Sequence, residues 1–236
     1  MFRFKEFDIC QDKCAMKVGT DSVILGAWAG VSISNSILDV GAGTGVLALM
    51  MAQRNSNALI DAVEIDAASA KQAVENVDAS KFCNRIRVFK CDFRYLCDEI
   101  RDKRYGHIIS NPPFYSEDTM SPDIQRAIAR NTVSLPFNDL VSGAARLLED
   151  KGLFSVIVPT SASYSVIVCA AQNELFLCRR TDVRDMFSTP VKRTLLEFVK
   201  GQLYETERND LILHDCNGNN TQEYSNLISS YYLGDS

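Results

Sequence analysis

The residues best equipped for chemistry are Asn111-Pro112-Pro113-Phe114, which close the short apolar run Ile108-Ile109-Ser110. Proline has no backbone N–H and holds the residue before it extended, so this segment offers carbonyl acceptors and almost no donors. With the Asn111 side-chain carbonyl beside the Pro112 carbonyl, two acceptors can face one planar –NH2 group, and Phe114 is placed to stack on the ring that carries it. Such a device grips an exocyclic amine and turns its lone pair toward an electrophile. The same four residues could also merely end a strand and pack in a core, so their meaning depends on what lies upstream.

Upstream, the pattern predicts four strands that each end in polar or glycine residues. Ile37 to Val40 is a short strand running into Gly41-Ala42-Gly43-Thr44-Gly45, and Val46 to Ala52 continues as a buried helix. Leu59 to Val63 is the next strand, with Glu64 at its end. Ala67 to Val77 reads as a helix, Arg85 to Lys90 as a strand followed by Asp92, and Arg104 to Ser110 as the strand that delivers Asn111. In open α/β sheets ligands collect beyond the carboxyl ends of the strands. Asp39 with Gly41, Gly43 and Gly45, then Glu64, Asp92 and Asn111, are therefore expected around one cleft.

The donor that fits this cleft is S-adenosylmethionine. The spacing of Gly41, Gly43 and Gly45 departs from the G-x-G-x-x-G pattern of dinucleotide sites, and an acidic residue precedes the first glycine. Asp39 suits an ammonium, the glycine backbone suits close passage of a methionine moiety, Glu64 suits ribose hydroxyls and Asp92 suits an adenine amino group. No metal is expected. A nicotinamide-dependent oxidoreductase is disfavoured by the glycine spacing, and a non-enzymatic RNA-binding module by the Asn111–Phe114 run.

The remaining elements position these residues. Thr20 or Asp21 is expected to cap a helix over Val23 to Ala29 that lies across the mouth of the cleft, which puts both among the candidate cofactor contacts. Residues 115–136 read as a loop with a short helix carrying Arg126 and Arg130 at i, i+4 spacing. Helices over Phe137 to Leu148 and Ser163 to Asn173 alternate with strands over Leu153 to Val158 and Leu175 to Cys178. A hairpin joins Asp182 to Phe187 with Thr194 to Val199, and Leu211 to His214 and Glu223 to Leu233 supply a last strand and a closing helix. The chain, at 236 residues, reads as one domain: an N-terminal segment over 1–35, a Rossmann-like core over 36–200, and a C-terminal strand and helix over 201–236.

Composition bounds the rest. No apolar run reaches membrane-spanning length and the N-terminus lacks the apolar core of a signal peptide, so a cytoplasmic location is expected. The eight cysteines form no C-x-x-C pair and read as reduced, mostly buried small hydrophobes. A net charge of −5 weighs against a nucleic-acid partner, but Lys13, Lys17, Arg126, Arg130, Lys192 and Arg193 cluster locally and are the candidate substrate contacts.

The residues also resemble a known family. Leu38 to Gly45 together with Asn111 to Phe114 look like the class I methyltransferases that modify planar amino groups. Phe2-Arg3-Phe4-Lys5-Glu6-Phe7, Gln11 to Asp21 and Leu25-Gly26-Ala27-Trp28-Ala29, with Arg126 to Arg130, Arg180 to Val183 and Tyr231-Tyr232-Leu233, are similar to the bacterial valine-tRNA adenine N6-methyltransferase family over essentially the whole chain. The resemblance implies an α/β, Rossmann-like fold with a seven-stranded mixed sheet flanked by helices, and a monomer or small homo-oligomer. It implies S-adenosylmethionine as donor, catalysis through Asn111, Pro112, Pro113 and Phe114, and the adenine beside the anticodon of a valine-accepting tRNA as acceptor. Guanine N2 of RNA and a protein glutamine amide remain the alternative acceptors, because the Asn-Pro-Pro-aromatic motif serves them too.

Overall fold

The computed structural model describes residues 1–14, 16–31, 35–95, 100–113, 135–202 and 204–232. Its centre is a sheet of eight strands in the order β10-β8-β9-β7-β6-β3-β4-β5. These are β3 (Ser36–Val40), β4 (Leu59–Glu64), β5 (Ile86–Lys90), β6 (Tyr105–Ser110), β7 (Leu148–Pro159), β8 (Leu175–Met186), β9 (Arg193–Lys200) and β10 (Glu207–His214). All neighbours run parallel except at β9, which is antiparallel to both β7 and β8. The mixed α/β sheet is as expected, with one strand more than seven. Residues 175–186 form a single strand that the sequence divides at Arg179, and β10 pairs with its free edge over Glu207 to His214.

Helices cover both faces. On one lie α1 (Thr20–Trp28), α2 (Val46–Arg54), α3 (Ala67–Asp78) and α6 (Gln222–Ile228), and on the other α4 (Phe137–Leu147) and α5 (Thr160–Gln172). The buried side chains fall into two apolar clusters, one per face. Alternation along β3 shows why: Ile37 joins the first cluster, whereas Leu38 and Val40 join the second. Gly26 lets α1 and α2 approach closely, since a Cβ there would lie 2.6 Å from the Met50 sulfur.

The N-terminal segment is built onto the rest by specific bonds. A two-stranded ribbon, β1 (Phe2–Arg3) and β2 (Asp8–Ile9), packs Phe2 edge-on against Tyr232, and the Lys5 amide donates to the Tyr231 carbonyl. From there the chain runs along α3. The Cys10 amide donates to Asn76 Oδ1, while Asn76 Nδ2 donates to the carbonyls of Cys10 and Thr44, so one amide ties this segment to the glycine turn. Gly19 then caps α1, with no side-chain bond. The expected capping by Thr20 or Asp21 is therefore displaced by one or two residues, because both already have helical neighbours and Gly19 takes the extended cap conformation.

The cysteines correct another expectation. The seven described are free thiols, but none is fully buried, and Cys10, Cys83 and Cys216 are exposed. Cys91 and Cys169 pack against the rim of the second apolar cluster, half-buried. No helix among the described residues is long and apolar enough to cross a membrane, and no group of three or more His, Cys, Asp or Glu among them could hold a metal ion.

Candidate active site

The chain leaves β3 for β4 on one side of the sheet and later returns to place β6 on the other, so the crevice between β3 and β6 is the topological switch point, where ligands bind in such folds. Register makes the crevice exact. Val40 pairs with Ser110, and the Ser110 hydroxyl donates to the Val40 carbonyl at 2.8 Å, so Gly41 and Asn111 leave adjacent strands at the same level. Val63 also pairs with Val40, which brings Glu64 to that level on the other side.

The glycine turn is shaped by its backbone. Gly41, Gly43 and Gly45 have φ of 74°, 55° and 81°, a region that L side chains avoid. The amides of Gly41 and Ala42 both donate to the Val63 carbonyl, and the Gly45 amide closes the turn on Ala42. A Cβ at Gly41 or Gly43 would meet nothing within 4 Å, so the turn borders open space on that side. Gly45 is the N-cap of α2 and supplies no side chain, which leaves the helix N-terminus open to a ligand.

Asp39 is fully buried at the end of β3. Its Oδ2 accepts from the Ala48 amide at 3.0 Å, whereas Oδ1 has no partner among the described residues. Burial, opposed by the Ala48 bond and reinforced by the Glu64 charge, pushes its carboxyl up to about 7. A buried carboxylate with an orphaned oxygen beside an open glycine cradle fits the ammonium of an amino-acid moiety. Glu64 behaves differently. Its Oε2 accepts from the Gly43 amide at 2.9 Å and its Oε1 from the Asp66 amide at 2.8 Å, so it braces the turn and keeps one lone pair per oxygen for a pair of hydroxyls.

Asn111 has a defined orientation. Its Nδ2 donates to the Ser22 hydroxyl of α1 at 2.8 Å, and no donor among the described residues reaches Oδ1. In this arrangement Nδ2 faces α1 and Oδ1 faces away from it. Asp21, next to Ser22, is held by the Arg193 guanidinium at 2.8 Å and is turned away from a cofactor role. That ion pair joins α1 to the start of β9. Thr20 is exposed at the first turn of the same helix.

Asp92 is clamped within its own segment. Its carboxylate accepts from the Arg94 amide and is bridged by the Arg94 guanidinium at 2.6 Å, which holds the carboxyl below its ordinary range. Three donors of Arg94 occupy its two oxygens, which leaves one lone pair for an adenine amine. Of the candidate substrate contacts, Lys17 and Lys192 are exposed, Lys13 is paired with Glu75 at 2.6 Å, and Arg193 is paired with Asp21. Phe114, Arg126 and Arg130 lie outside the described residues. Sequence reasoning missed Ser22, an ordinary serine in a helix first turn, and Arg94, whose spacing two residues past Asp92 was the available sign of a clamp.

Known proteins resemble this chain over its whole length. The methyltransferase small domain family model matches residues 16–177. A Flavobacterium johnsoniae protein named tRNA1(Val) (adenine(37)-N6)-methyltransferase is 42% identical over 234 residues, covering 99% of both chains. Its namesake in Trichodesmium erythraeum is 43% identical, covering 98% of this chain and 97% of its own. Among solved structures, a protein of Agrobacterium tumefaciens described as a predicted O-methyltransferase superposes with a TM-score of 0.71 at 19% identity, covering 89% of this chain and 96% of its own. The CcbJ methyltransferase of Streptomyces caelestis gives 0.59 at 14% identity, covering 83% and 97%. These two share the fold. Together with the cradle beneath Asp39 and the amide held at Asn111, the full-length relatives show that this chain belongs to the methyltransferase small domain family and, within it, to the tRNA1(Val) (adenine(37)-N6)-methyltransferases.

Proposed function

We propose that this enzyme transfers a methyl group from S-adenosylmethionine to N6 of adenine 37 in a tRNA1(Val), acting in the cytoplasm. The reading rests on one observation above the others: Asn111 Oδ1 meets no donor among the described residues, at the level of an open glycine turn, in a chain whose full-length relatives carry that name.

When bound, S-adenosylmethionine supplies a methyl group on a sulfonium. The Asp39 carboxylate takes the ammonium, the backbone of Gly41 and Gly43 accommodates the methionine moiety, and the spare lone pairs of Glu64 accept from the ribose hydroxyls. Asn111 Oδ1 and the Pro112 carbonyl accept the two N6–H groups of adenine and turn its delocalised lone pair out of the ring. Bound there, the sulfonium would supply its methyl group to the amine held by Asn111 Oδ1 and the Pro112 carbonyl, and the surplus proton would pass to water. Orientation is the main source of rate. Neither described histidine competes for a base role: His107 is buried against Ser155, and His214 faces Asp185. An anticodon-loop base is already unpaired, which lowers the cost of presenting it.

The test is mass spectrometry of nuclease-digested tRNA1(Val) transcript after incubation with S-adenosylmethionine. N6-methyladenosine at position 37 is expected with the wild type and not with Asn111→Ala, while calorimetry finds unchanged cofactor affinity in that variant. Methylation only of guanine N2, or of a protein glutamine, would overturn the assignment.

A further inference from the structure

We infer that the turn between β8 and β9 is a second RNA-contacting element, in which Phe187 stacks on an unpaired base of the same tRNA whose target adenine enters the cleft; this rests on the tRNA reading above. Phe187 is 83% exposed, the most exposed of the large apolar side chains described. An isolated exposed aromatic needs no explanation, but this one is held out by a rigid turn. The Met186 amide donates to Thr189 Oγ1 at 3.0 Å, the Thr189 hydroxyl donates back to the Met186 carbonyl at 2.8 Å, and the Thr189 amide reaches the same carbonyl. Arg184 Nη1 donates to the Thr189 carbonyl, and the Lys192 amide to Val183. Little ordering entropy remains to be lost when a base stacks on it.

Its place in the fold connects it to the active site. β8 runs parallel to β10 and antiparallel to β9, whose first residue, Arg193, pairs with Pro159 at the carboxyl end of β7. The turn therefore stands on the same rim as Asn111, three strand spacings to the side and several residues higher, on the order of 20 Å away. A continuous set of polar contacts runs between them: Arg193 to Asp21, then through the first turn of α1 to Ser22 and Asn111. Charge favours an anionic strand here. Lys192 is exposed at the base of the turn, and the two carboxylates at the end of β8 are already engaged, Asp182 by Arg180 and Thr194 and Asp185 by His214. An aromatic face flanked by cations is the pattern that binds unpaired nucleotides by stacking and phosphate contact.

The experiment is steady-state methylation of an unmodified tRNA1(Val) transcript by wild type, Phe187→Ala, Phe187→Leu, Phe187→Trp and Tyr204→Ala, with cofactor affinity measured by calorimetry. Phe187→Ala and Phe187→Leu are expected to raise KM for the transcript about tenfold, within the range for losing one base–aromatic stack, with kcat and cofactor affinity unchanged. Phe187→Trp should restore KM, and Tyr204→Ala, at the opposite end of the sheet, should match wild type. An unchanged KM in Phe187→Ala, full restoration by leucine, or an equal loss in Tyr204→Ala overturns the stacking role while leaving the tRNA reading intact. A wild type that does not methylate the transcript overturns both.

Discussion

Two buried carboxylates, Asp39 at the end of β3 and Glu197 in β9, are close in burial and opposite in situation. Glu197 receives the Ser155 hydroxyl at 2.7 Å, the Gly30 amide at 2.6 Å and the Arg179 guanidinium at 3.0 Å, and Arg179 in turn lies over the Trp28 ring at 3.9 Å and donates to the Trp28 carbonyl. Asp39 receives one amide and leaves an oxygen bare. A buried charge with donors on both oxygens fastens elements together, here α1 to β7, β8 and β9. One that is half engaged costs stability until a ligand completes it.

The largest expected effect is on the satisfied side. Glu197→Ala leaves the half-buried Arg179 without its counter-ion and the Ser155 hydroxyl and Gly30 amide without their acceptor, and should destabilise by about 3–5 kcal/mol, read as a shift in the urea unfolding midpoint. Asp39→Asn, which removes a half-engaged buried charge, should not lower that midpoint and should raise it at neutral pH. If Asp39→Asn is as destabilising as Glu197→Ala, the contrast between the two carboxylates is lost.

Next comes pH. His107 Nε2 lies 2.8 Å from the Ser155 hydroxyl within the Glu197 network, and burial lowers its pKa from 6.5 to about 4. A depressed folded pKa means the unfolded chain binds the proton more readily. Its contribution is present above pH 6.5 and is lost as pH falls through about 4, by about 3 kcal/mol for a shift of this size. Asp39, raised from 3.8 to about 7, has the reverse sign: its contribution is present below pH 3.8 and is lost as pH rises through about 7. Between about pH 4 and 6.5 the two slopes oppose and nearly cancel in the wild type, so denaturation curves across pH 4 to 8 should show a loss on raising the pH emerge in His107→Gln and a loss on lowering the pH emerge in Asp39→Asn.

Cofactor binding should move only the unsatisfied group. Asp39→Asn is expected to weaken S-adenosylmethionine by about 1.5–3 kcal/mol, the range for a hydrogen bond to a charged group. Because an ammonium favours the ionised carboxylate, wild-type binding should release protons near neutral pH, and calorimetry in buffers of different ionisation enthalpy should find that release absent in the variant. Equal proton release by both would reassign the ammonium site.

Asn111 lies between the two cases, with its Nδ2 satisfied and its Oδ1 without a donor among the described residues. Ser22→Ala removes the bond that decides which end of the amide faces outward. The expected result is the smallest of the set, a fall in kcat equivalent to about 1 kcal/mol, with KM for cofactor unchanged. Ser22→Thr, which keeps a hydroxyl, should recover most of the rate.

Periodicity and turn residues were enough to read the strand–glycine turn–helix unit, the carboxylate at the end of β4 and the amide at the end of β6, because each depends on local backbone geometry and on strand ends gathering at one edge. Resemblance supplied the acceptor. Beyond these lay whatever depends on partners distant in the chain. Leu175–Met186 became one strand because β10 and β9 pair along its whole length, although its half-buried pattern carries no clear alternation. Asp92 and Asp39 have the same side chain and similar positions at strand ends, yet Arg94 clamps one while the other keeps an oxygen without a donor among the described residues. Asp21 is drawn to Arg193 across 172 positions, and Ser22 meets Asn111 across 89. Residue type determined which groups could do chemistry; packing decided which oxygens were left free to do it, since a lone pair is available only where no donor from another element reaches it.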